Sequence, residues 1–179
     1  MTDAQLAREL LERIAGDLGM MIQYELNLEK ERVERVHSRP AGADRNHASF
    51  RLSFSREDGR KEYGALLLPL PDALTMAGMV LMIPKETIST LRKEVSLSDA
   101  LKDALLELGN FIGGACKTAL DKLGLTGWSA CFEGCQGVRP DVPPTFPYEE
   151  GSELIVARTT TSLQPFPPFD LILMLPVLA

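Results

Sequence analysis

The sequence predicts an α/β (α+β) fold built from a duplicated unit, in which a helix followed by strands occurs twice. Apolar residues recur at helical spacing near the start of the chain and again over residues 96–123. Each helical segment leads into segments that alternate or are uniformly apolar, as β-strands do. Residues 10–21 and 105–116 can be set side by side as a partial repeat. We therefore expect two similar α/β halves.

Size and charge narrow the class of protein. The chain has 179 residues, 45% of them hydrophobic and 25% charged, which is enough for one hydrophobic core without disulfides or metal. We predict a single domain over residues 1–179, with pseudo-repeat halves at about 3–83 and 96–179. The 19 Lys and Arg and 25 Asp and Glu give a net charge of −6 without a basic cluster, which argues against nucleic acid and anionic membrane as partners.

The cysteines and histidines give no site by their spacing. The first residues, MTDAQLARELLERI, are acidic and amphipathic and lack the features of a secretory signal, so we expect a cytoplasmic protein with reduced cysteines. We predict that Cys116, Cys131 and Cys135 are small buried residues. His37 and His47 lie far from them in sequence, so no zinc site is assembled, and we expect both histidines to be exposed to solvent.

The first half begins with a predicted helix over residues 3–19. Thr2 or Asp3 can cap its start, and Gly19 is expected to end it. An extended segment, MMIQYELNLEKERVERV, comes next, followed by the loop RPAGADRNH.

A β-hairpin and a short helix complete this half. The strands ASFRLSFS and YGALLLPLP flank a turn with Asp58 and Gly59 at its tip. Residues 72–82 then form a short helix. Its methionines are expected to fill the core: Met76, Met79 and Met82.

The same region contains the one stretch that could be mistaken for a membrane span, residues 63–84. Pro69, Pro71 and Asp72 lie near its centre, where they would break the helix and place a charge in hydrocarbon. A buried strand, a turn and a short helix account for it better.

The second half contains the longest helix. Residues 84–95 are predicted to be a connection, after which Ser96 caps the helix, with Asp99 three positions later. The helix runs to about Leu123 and stops at Gly124. The segments GWSACFEG, SELIVARTTTSL and FDLILMLPVLA follow as strands, separated by proline-rich loops.

The two segments of the partial repeat, residues 10–21 and 105–116, differ at one position that matters for function. The identical pairs of the ungapped alignment are Leu10 and Leu105, Leu11 and Leu106, Glu12 and Glu107, and Gly19 and Gly114. Between them, Ala15 falls opposite Asn110. We interpret this as a duplicated helix whose first copy has lost the asparagine.

The long helix is predicted to be two-sided. With about 100° per residue and Asp103 at zero, Glu107 falls at about 40°, Asn110 at about −20° and Gly114 at about 20°. These residues and their continuation form what we call the polar stripe: Asp103, Glu107, Asn110, Gly114, Lys117 and Asp121. The inward face is expected to consist of Leu101, Leu105, Leu108, Ile112, Ala115, Ala119 and Leu123. Gly109 and Gly113 fall on the flank, where close packing against a neighbouring element would explain them.

The polar stripe has a plain interpretation, because the exposed faces of helices are polar. Asn110 nevertheless costs stability in mid-helix, where Glu, Lys or Gln would serve better. Gly114 lies one turn away on the same face and would let another backbone approach. An asparagine amide both donates and accepts, so it can hold a water in line with a phosphoryl group, and a neighbouring carboxylate can anchor a lysine.

The long helix, SLSDALKDALLELGNFIGGACKTALDKL, resembles the motif helix of the CheC/CheX/FliY family of chemotaxis phosphatases. Asp103, Glu107 and Asn110 match the family pattern of Asp or Ser, three residues, Glu, two residues and Asn. The hairpin with its short helix, and the later strands with their Pro-Pro loop, resemble the corresponding family segments. The family's later proline could be Pro140, Pro143 or Pro144.

The resemblance implies a fold, a substrate and residue roles. The fold would be pseudo-two-fold, with a central, mainly antiparallel sheet and two long motif helices on one face. The substrate would be the aspartyl phosphate of a CheY-like receiver domain, whose own Mg²⁺ makes a cofactor in this chain unnecessary. Asn110 would position the attacking water, and Glu107 would engage the receiver's lysine. Asp103 and Gly114 would support the site, and Asp103 and Lys117 would contact the partner.

Three functions remain open from the sequence. Ala15 cannot orient a water, so we expect one active site per chain, as in CheX-like members, which form homodimers. Intact Glu107 and Asn110 favour a phosphatase. The same fold also serves as a non-catalytic, receiver-binding scaffold of the flagellar switch. A regulator that binds a receiver without hydrolysing it is the third possibility.

Overall fold

A computed structural model describes residues 1–178 as four helices and six strands. The helices are α1 (Asp3–Ile22), α2 (Leu70–Val80), α3 (Lys85–Leu91) and α4 (Asp99–Lys122). The strands are β1 (Asn27–Val36), β2 (His47–Arg56), β3 (Lys61–Pro69), β4 (Trp128–Val138), β5 (Leu154–Ser162) and β6 (Phe169–Pro176).

All six strands form one antiparallel sheet in the order β1-β5-β6-β3-β2-β4. Exchanging β1, β2 and β3 with β4, β5 and β6 gives the same order read backwards. The pseudo-two-fold relation therefore passes between β3 and β6, where Leu66 lies opposite Leu173. The mixed α+β fold with an antiparallel sheet is confirmed. The boundaries of the two halves stay a prediction.

The main core lies between the long helices and one face of the sheet. Leu66 and Leu68 of β3 belong to it, together with buried side chains of α1, α2 and α4. Ala65 and Leu67 point to the opposite face, where a smaller cluster includes Phe146. Burial on both faces explains why this strand is uniformly apolar instead of alternating.

Helix α1 starts as predicted but ends later. Thr2 forms a capping box with Gln5, which satisfies exposed amides at the first turn. The helix continues to Ile22, and its predicted end at Gly19 is wrong. The chain turns at Gln23, which has a left-handed φ of 60°, and a Cβ at Gly19 would lie only 2.8 Å from the carbonyl oxygen of Tyr24. Gly19 therefore makes room for this turn within the helix.

The hairpin is confirmed, with β2 paired to β3 and the turn at its predicted tip, where Gly59 has a positive φ of 90°. Helix α2 begins at Leu70, two residues before the predicted start, and its Asp72 is buried. None of the helices described in residues 1–178 is both long and apolar enough to cross a membrane.

The connection before the long helix contains an unpredicted helix, α3. Ile88 of this helix is buried in the main core, and Leu91 packs beside it. Arg92, just beyond the helix, donates to Asp72 at 2.8 Å and to Thr75 at 2.6 Å. The periodicity is weak because a seven-residue helix offers few positions to the core. The cap of α4 is Ser98, and the prediction of Ser96 is wrong: the Ser98 hydroxyl accepts from the Leu101 amide at 3.3 Å.

Three burial predictions need correction. His47 is buried, not exposed, because it begins an interior strand, and its Nδ1 donates to the Arg45 carbonyl oxygen at 2.8 Å. Burial lowers the pKa of His47. Among the cysteines, Cys116 is buried as predicted, Cys135 is only half-buried, and Cys131 is exposed because it points away from the core, on the opposite face of β4 from the buried Ala130. Met82 is 86% exposed because the chain turns just before it, although Met76 lies in the core.

Candidate functional site: the outer face of the long helix

The structure places every residue of the polar stripe on the exposed side of α4. The opposite side packs into the main core through Leu105, Leu108 and Ile112, as the periodicity predicts. Leu123, at the end of this inward face, is half-buried. The stripe therefore faces solvent along most of the helix, supported by a rigid, packed inner face.

Glu107 and Asn110 contact each other on this surface. The Asn110 amide nitrogen Nδ2 donates to Oε2 of Glu107 at 3.4 Å. This distance is longer than the usual 2.7–3.2 Å range, so the bond is weak and both exposed side chains can turn toward a partner. The amide oxygen of Asn110 and the second carboxylate oxygen of Glu107 remain available for a water or a cation.

The other stripe residues frame this pair. Lys117 donates to Asp121 at 2.8 Å, an ion pair one turn apart in which both side chains are largely exposed. Within residues 1–178, Asp103 has neither a hydrogen bond nor an ion pair through its side chain, so its carboxylate is free for a partner. The stripe is therefore mainly acidic at one end and carries a cation at the other.

The three glycines of α4 have two different roles. A Cβ at Gly109 would overlap the ring of Phe132, and a Cβ at Gly113 would lie 2.7 Å from the backbone nitrogen of Phe132. Strand β4 therefore lies against this flank of the helix, as predicted. A Cβ at Gly114 would meet nothing within 4 Å. Within residues 1–178, nothing packs against this side of Gly114, so the surface there is open to another molecule.

Two apolar residues beside the stripe were not predicted to belong to the site. Leu106 is 43% exposed and Phe111 is 44% exposed, and they flank Glu107 and Asn110 along the helix. The signal was available in the sequence, because both fall outside the inward face of the helical projection. Exposed apolar side chains on both sides of a polar pair are a typical composition for a protein-binding surface.

The matching part of α1 is built differently. Glu12 is exposed, but Ala15 is only 6% exposed. Gly19 is covered by the turn after the helix, at Tyr24. The position opposite Asn110 therefore lies recessed in the wall of an open cleft between α1 and the segment that follows it, and not on an exposed helix face.

The structure offers no metal-binding group: within residues 1–178, no three His, Cys, Asp or Glu side chains come together to hold an ion. Burial raises the pKa of the Cys116 and Cys135 thiols to about 12 in each case, which keeps them protonated and poor metal ligands or nucleophiles.

Comparison with known proteins finds neighbours in structure. No family model matches the sequence, and no curated protein matches it. FliY from Thermotoga maritima superposes with a TM-score of 0.66 at 13% identity, covering 99% of this chain and 92% of that one. CheX from Vibrio vulnificus gives a TM-score of 0.60 at 14% identity, covering 94% and 97%. A CheC-like protein from a Shewanella species gives 0.60 at 15% identity, covering 97% and 98%.

The chain has the fold of the CheC, CheX and FliY proteins. The resemblance noted in the sequence is therefore confirmed at the level of fold. The CheC/CheX/FliY fold also occurs in FliM from H. pylori, whose structure in complex with FliG superposes with a TM-score of 0.64 at 11% identity over 99% of this chain and 95% of that one. A surface of this fold can thus bind a partner protein, as FliM does.

Proposed function

We propose that this protein is a phosphatase that hydrolyses the aspartyl phosphate of a CheY-like receiver domain. One observation carries the proposal: Asn110 and Glu107 form a solvent-exposed amide–carboxylate pair in the middle of a long, well-packed helix. Phosphoryl transfer requires mainly positioning and charge stabilisation, which such a pair can supply. The fold shared with CheX and CheC-like chemotaxis proteins supports the assignment.

The proposed reaction is an in-line displacement by water. The Asn110 side chain holds a water molecule opposite the bond between phosphorus and the receiver's aspartate oxygen. The water oxygen bonds to phosphorus, the bond to the aspartate oxygen breaks, and the water gives up a proton to solvent. The products are inorganic phosphate and the free carboxylate. The Mg²⁺ at the receiver belongs to the substrate, and this chain contributes no cofactor.

The remaining stripe residues orient the receiver. Glu107 pairs with the receiver's lysine, so its weak bond to Asn110 is exchanged for a charge-assisted one. Asp103 and Lys117 make polar contacts at either end of the stripe. The bare surface at Gly114 lets the receiver's backbone approach one turn beyond Asn110.

The test is phosphate release from purified CheY-like receivers of the same genome, phosphorylated with acetyl phosphate. We expect the wild-type protein to accelerate release, and Asn110→Ala to lower kcat by about a hundredfold, as loss of one positioned group does in other hydrolases. Asn110→Gln is the matched control that keeps the amide but displaces it. Equal rates for the wild-type protein and Asn110→Ala would show that the proposed chemistry is wrong.

A second candidate is a non-catalytic receiver-binding or flagellar-switch-type scaffold. It is favoured by the FliM structures, which have this fold and were solved in complexes with FliG and with SpeE. Saturable binding of a receiver activated with beryllofluoride, without any turnover of the phosphorylated form, would favour this candidate. A homodimer with one site per chain remains part of the phosphatase proposal, and sedimentation equilibrium measures it.

A further inference from the structure

A cleft of 520 Å³ opens beside the polar stripe, between the first half of α4 and the end of the edge strand β4. Its walls are mainly apolar. The side chains that matter most are Leu70, Val95, Leu97, Leu106 and Val138. Val95 is 87% exposed and Leu106 is 43% exposed, so the apolar surface continues out of the cleft and is not enclosed. We call this feature the α4–β4 cleft.

The cleft and the polar stripe are continuous. Leu106 directly precedes Glu107, and Lys102, which also lines the cleft, directly precedes Asp103. In projection, Leu106 lies at about −60° and Asn110 at about −20° from Asp103, so the cleft opens on the flank that Asn110 faces. A molecule seated over Asn110 therefore extends over Leu106 toward Val95.

The charge of the cleft is opposite to that of the protein. The chain carries a net charge of −6, yet the residues that line the cleft include Lys102 and Arg139 and no acidic side chain. Arg139 is exposed and, within residues 1–178, makes no ion pair. Lys102 pairs only with Asp99, whose side chain is 97% exposed. Two cations at the rim of an apolar surface suit a partner that is apolar and acidic.

We infer that the α4–β4 cleft is a second docking site for the receiver domain, occupied by an apolar receiver segment that carries carboxylates. The inference rests on the proposed function and adds to it the determinant of partner choice. Asn110 acts on the phosphoryl group and Glu107 on the active-site lysine, which receivers share, so these two residues cannot discriminate between receivers. The cleft contacts a surface outside the reaction centre, where receivers differ, and its contribution is to affinity.

The experiment compares two cleft variants with two matched controls in the receiver phosphatase assay. Val95→Asp places a carboxylate on the apolar wall, and Met82→Asp does the same at a residue that is 86% exposed, beyond the far end of α2 from the cleft. Arg139→Glu reverses a rim charge. Arg32→Glu makes the same change on β1, at the opposite edge of the sheet.

We expect Val95→Asp to raise KM by about tenfold, as for a residue at the centre of an interface, with kcat unchanged. Arg139→Glu should raise KM by about threefold and weaken the salt dependence of kcat/KM, as a rim charge does. Met82→Asp and Arg32→Glu should match the wild-type protein. This pattern differs from that of Asn110→Ala, which lowers kcat.

Each other result overturns the inference. Wild-type KM in both cleft variants, with kcat still lost in Asn110→Ala, leaves the phosphatase proposal standing and removes the docking site. If no receiver is turned over, calorimetric titration with a beryllofluoride-activated receiver replaces KM: binding weakened by Val95→Asp supports the cleft, and unchanged or absent binding refutes it. Conversion of a dimer to a monomer by Val95→Asp, with unchanged receiver affinity, assigns the cleft to a second copy of the chain.

Discussion

The two long helices share a sequence pattern but not an environment. Helix α4 presents Glu107 and Asn110 to solvent, with an empty surface at Gly114. In α1 the residue opposite Asn110 is the buried Ala15, and Gly19 lies beneath the turn that follows the helix. The space beside Gly114 is therefore open to a partner, whereas the space beside Gly19 is filled by this chain's own backbone.

This difference changes the meaning of the missing asparagine. A lost motif would leave an open site that a single substitution could restore. In α1 the position is also recessed in a cleft, because the chain turns back beside Gly19 between Gln23 and Leu26. Helix α4 thus presents this position on an exposed face, whereas α1 holds the matching position within a cleft. Four predictions test how complete this division is.

The largest expected effect is on catalytic activity, when the asparagine is moved from position 110 of α4 to position 15 of α1. In the double variant Asn110→Ala, Ala15→Asn, we expect phosphatase activity to stay about a hundredfold below wild type, because a side chain at position 15 lies in a cleft and cannot enter a partner's active site as Asn110 does. The new side chain should also lower the free energy of unfolding by about 0.5 kcal/mol, because asparagine is a poorer helix former than alanine. Phosphate release and urea denaturation measure the two effects.

Ala15→Val serves as the control for volume in this experiment, because it adds bulk without polarity. Recovery of activity in the double variant would show that α1 can open, and that the two helices are functionally equivalent after all.

The next effect tests the flank of α4. Gly109→Ala places a methyl group into the ring of Phe132, so we expect it to lower the free energy of unfolding by about 1–3 kcal/mol, as overpacking of a filled core does. The double variant Gly109→Ala, Phe132→Leu should recover part of this loss. Denaturation midpoints in urea check both, and equal stability of Gly109→Ala and the wild-type protein would contradict the close approach of β4.

The third prediction compares a glycine of each helix, for which alanine substitution should change the free energy of unfolding by a smaller amount and with opposite signs. Gly114→Ala should raise the free energy of unfolding by about 0.5–1 kcal/mol, because alanine is the better helix former and the added Cβ meets nothing. Gly19→Ala should lower stability, because its Cβ would press on the Tyr24 carbonyl oxygen at 2.8 Å. Thermal melts of the two variants give the signs directly.

The same pair of variants separates stability from function. If Gly114 serves a partner's backbone, Gly114→Ala stabilises the protein while raising KM for the receiver. A variant that is both more stable and fully active would show that this glycine has no docking role.

The sequence predicts features that depend on neighbours along the chain. The two faces of α4 follow from the helical period, and the hairpin follows from its alternating strand and from Asp58 and Gly59 at the turn. The position of Asn110 on an exposed face was available for the same reason. These predictions need no knowledge of which elements pack together.

Features that depend on distant segments were missed. The burial of Ala15 depends on the turn after α1. An ungapped alignment of the two helices compares residue types and gives no information on what packs around each residue. The α4–β4 cleft is assembled from the start of α2, the segment before α4 and the end of β4, so no local pattern indicates it. The prediction that His47 lies in an exposed loop is wrong for the same reason, because its strand partners, Pro69 and Val138, lie far along the chain.

The smallest effect compares the starts of the two helices. Thr2 closes α1 with two reciprocal bonds in its capping box, at 3.2 Å and 2.8 Å, whereas Ser98 makes one bond of 3.3 Å to the Leu101 amide. We expect Thr2→Ala to lower the free energy of unfolding by about 1 kcal/mol and Ser98→Ala by about 0.5 kcal/mol. Urea denaturation resolves the difference, with Ser96→Ala as a control that should leave stability unchanged.

Which of the two substitutions, Thr2→Ala or Ser98→Ala, costs more stability tests the difference between the two helices. Buried side chains of α1 lie along nearly its whole length, so its first turn adds to the stability of the protein. That turn is held by two reciprocal hydrogen bonds between Thr2 and Gln5. A helix used as a surface needs a rigid centre around Asn110, which the contact of Gly109 and Gly113 with Phe132 supplies, and it tolerates a weaker start. A larger loss for Ser98→Ala than for Thr2→Ala would place the critical support of the candidate site at the start of α4 instead of at its contact with β4.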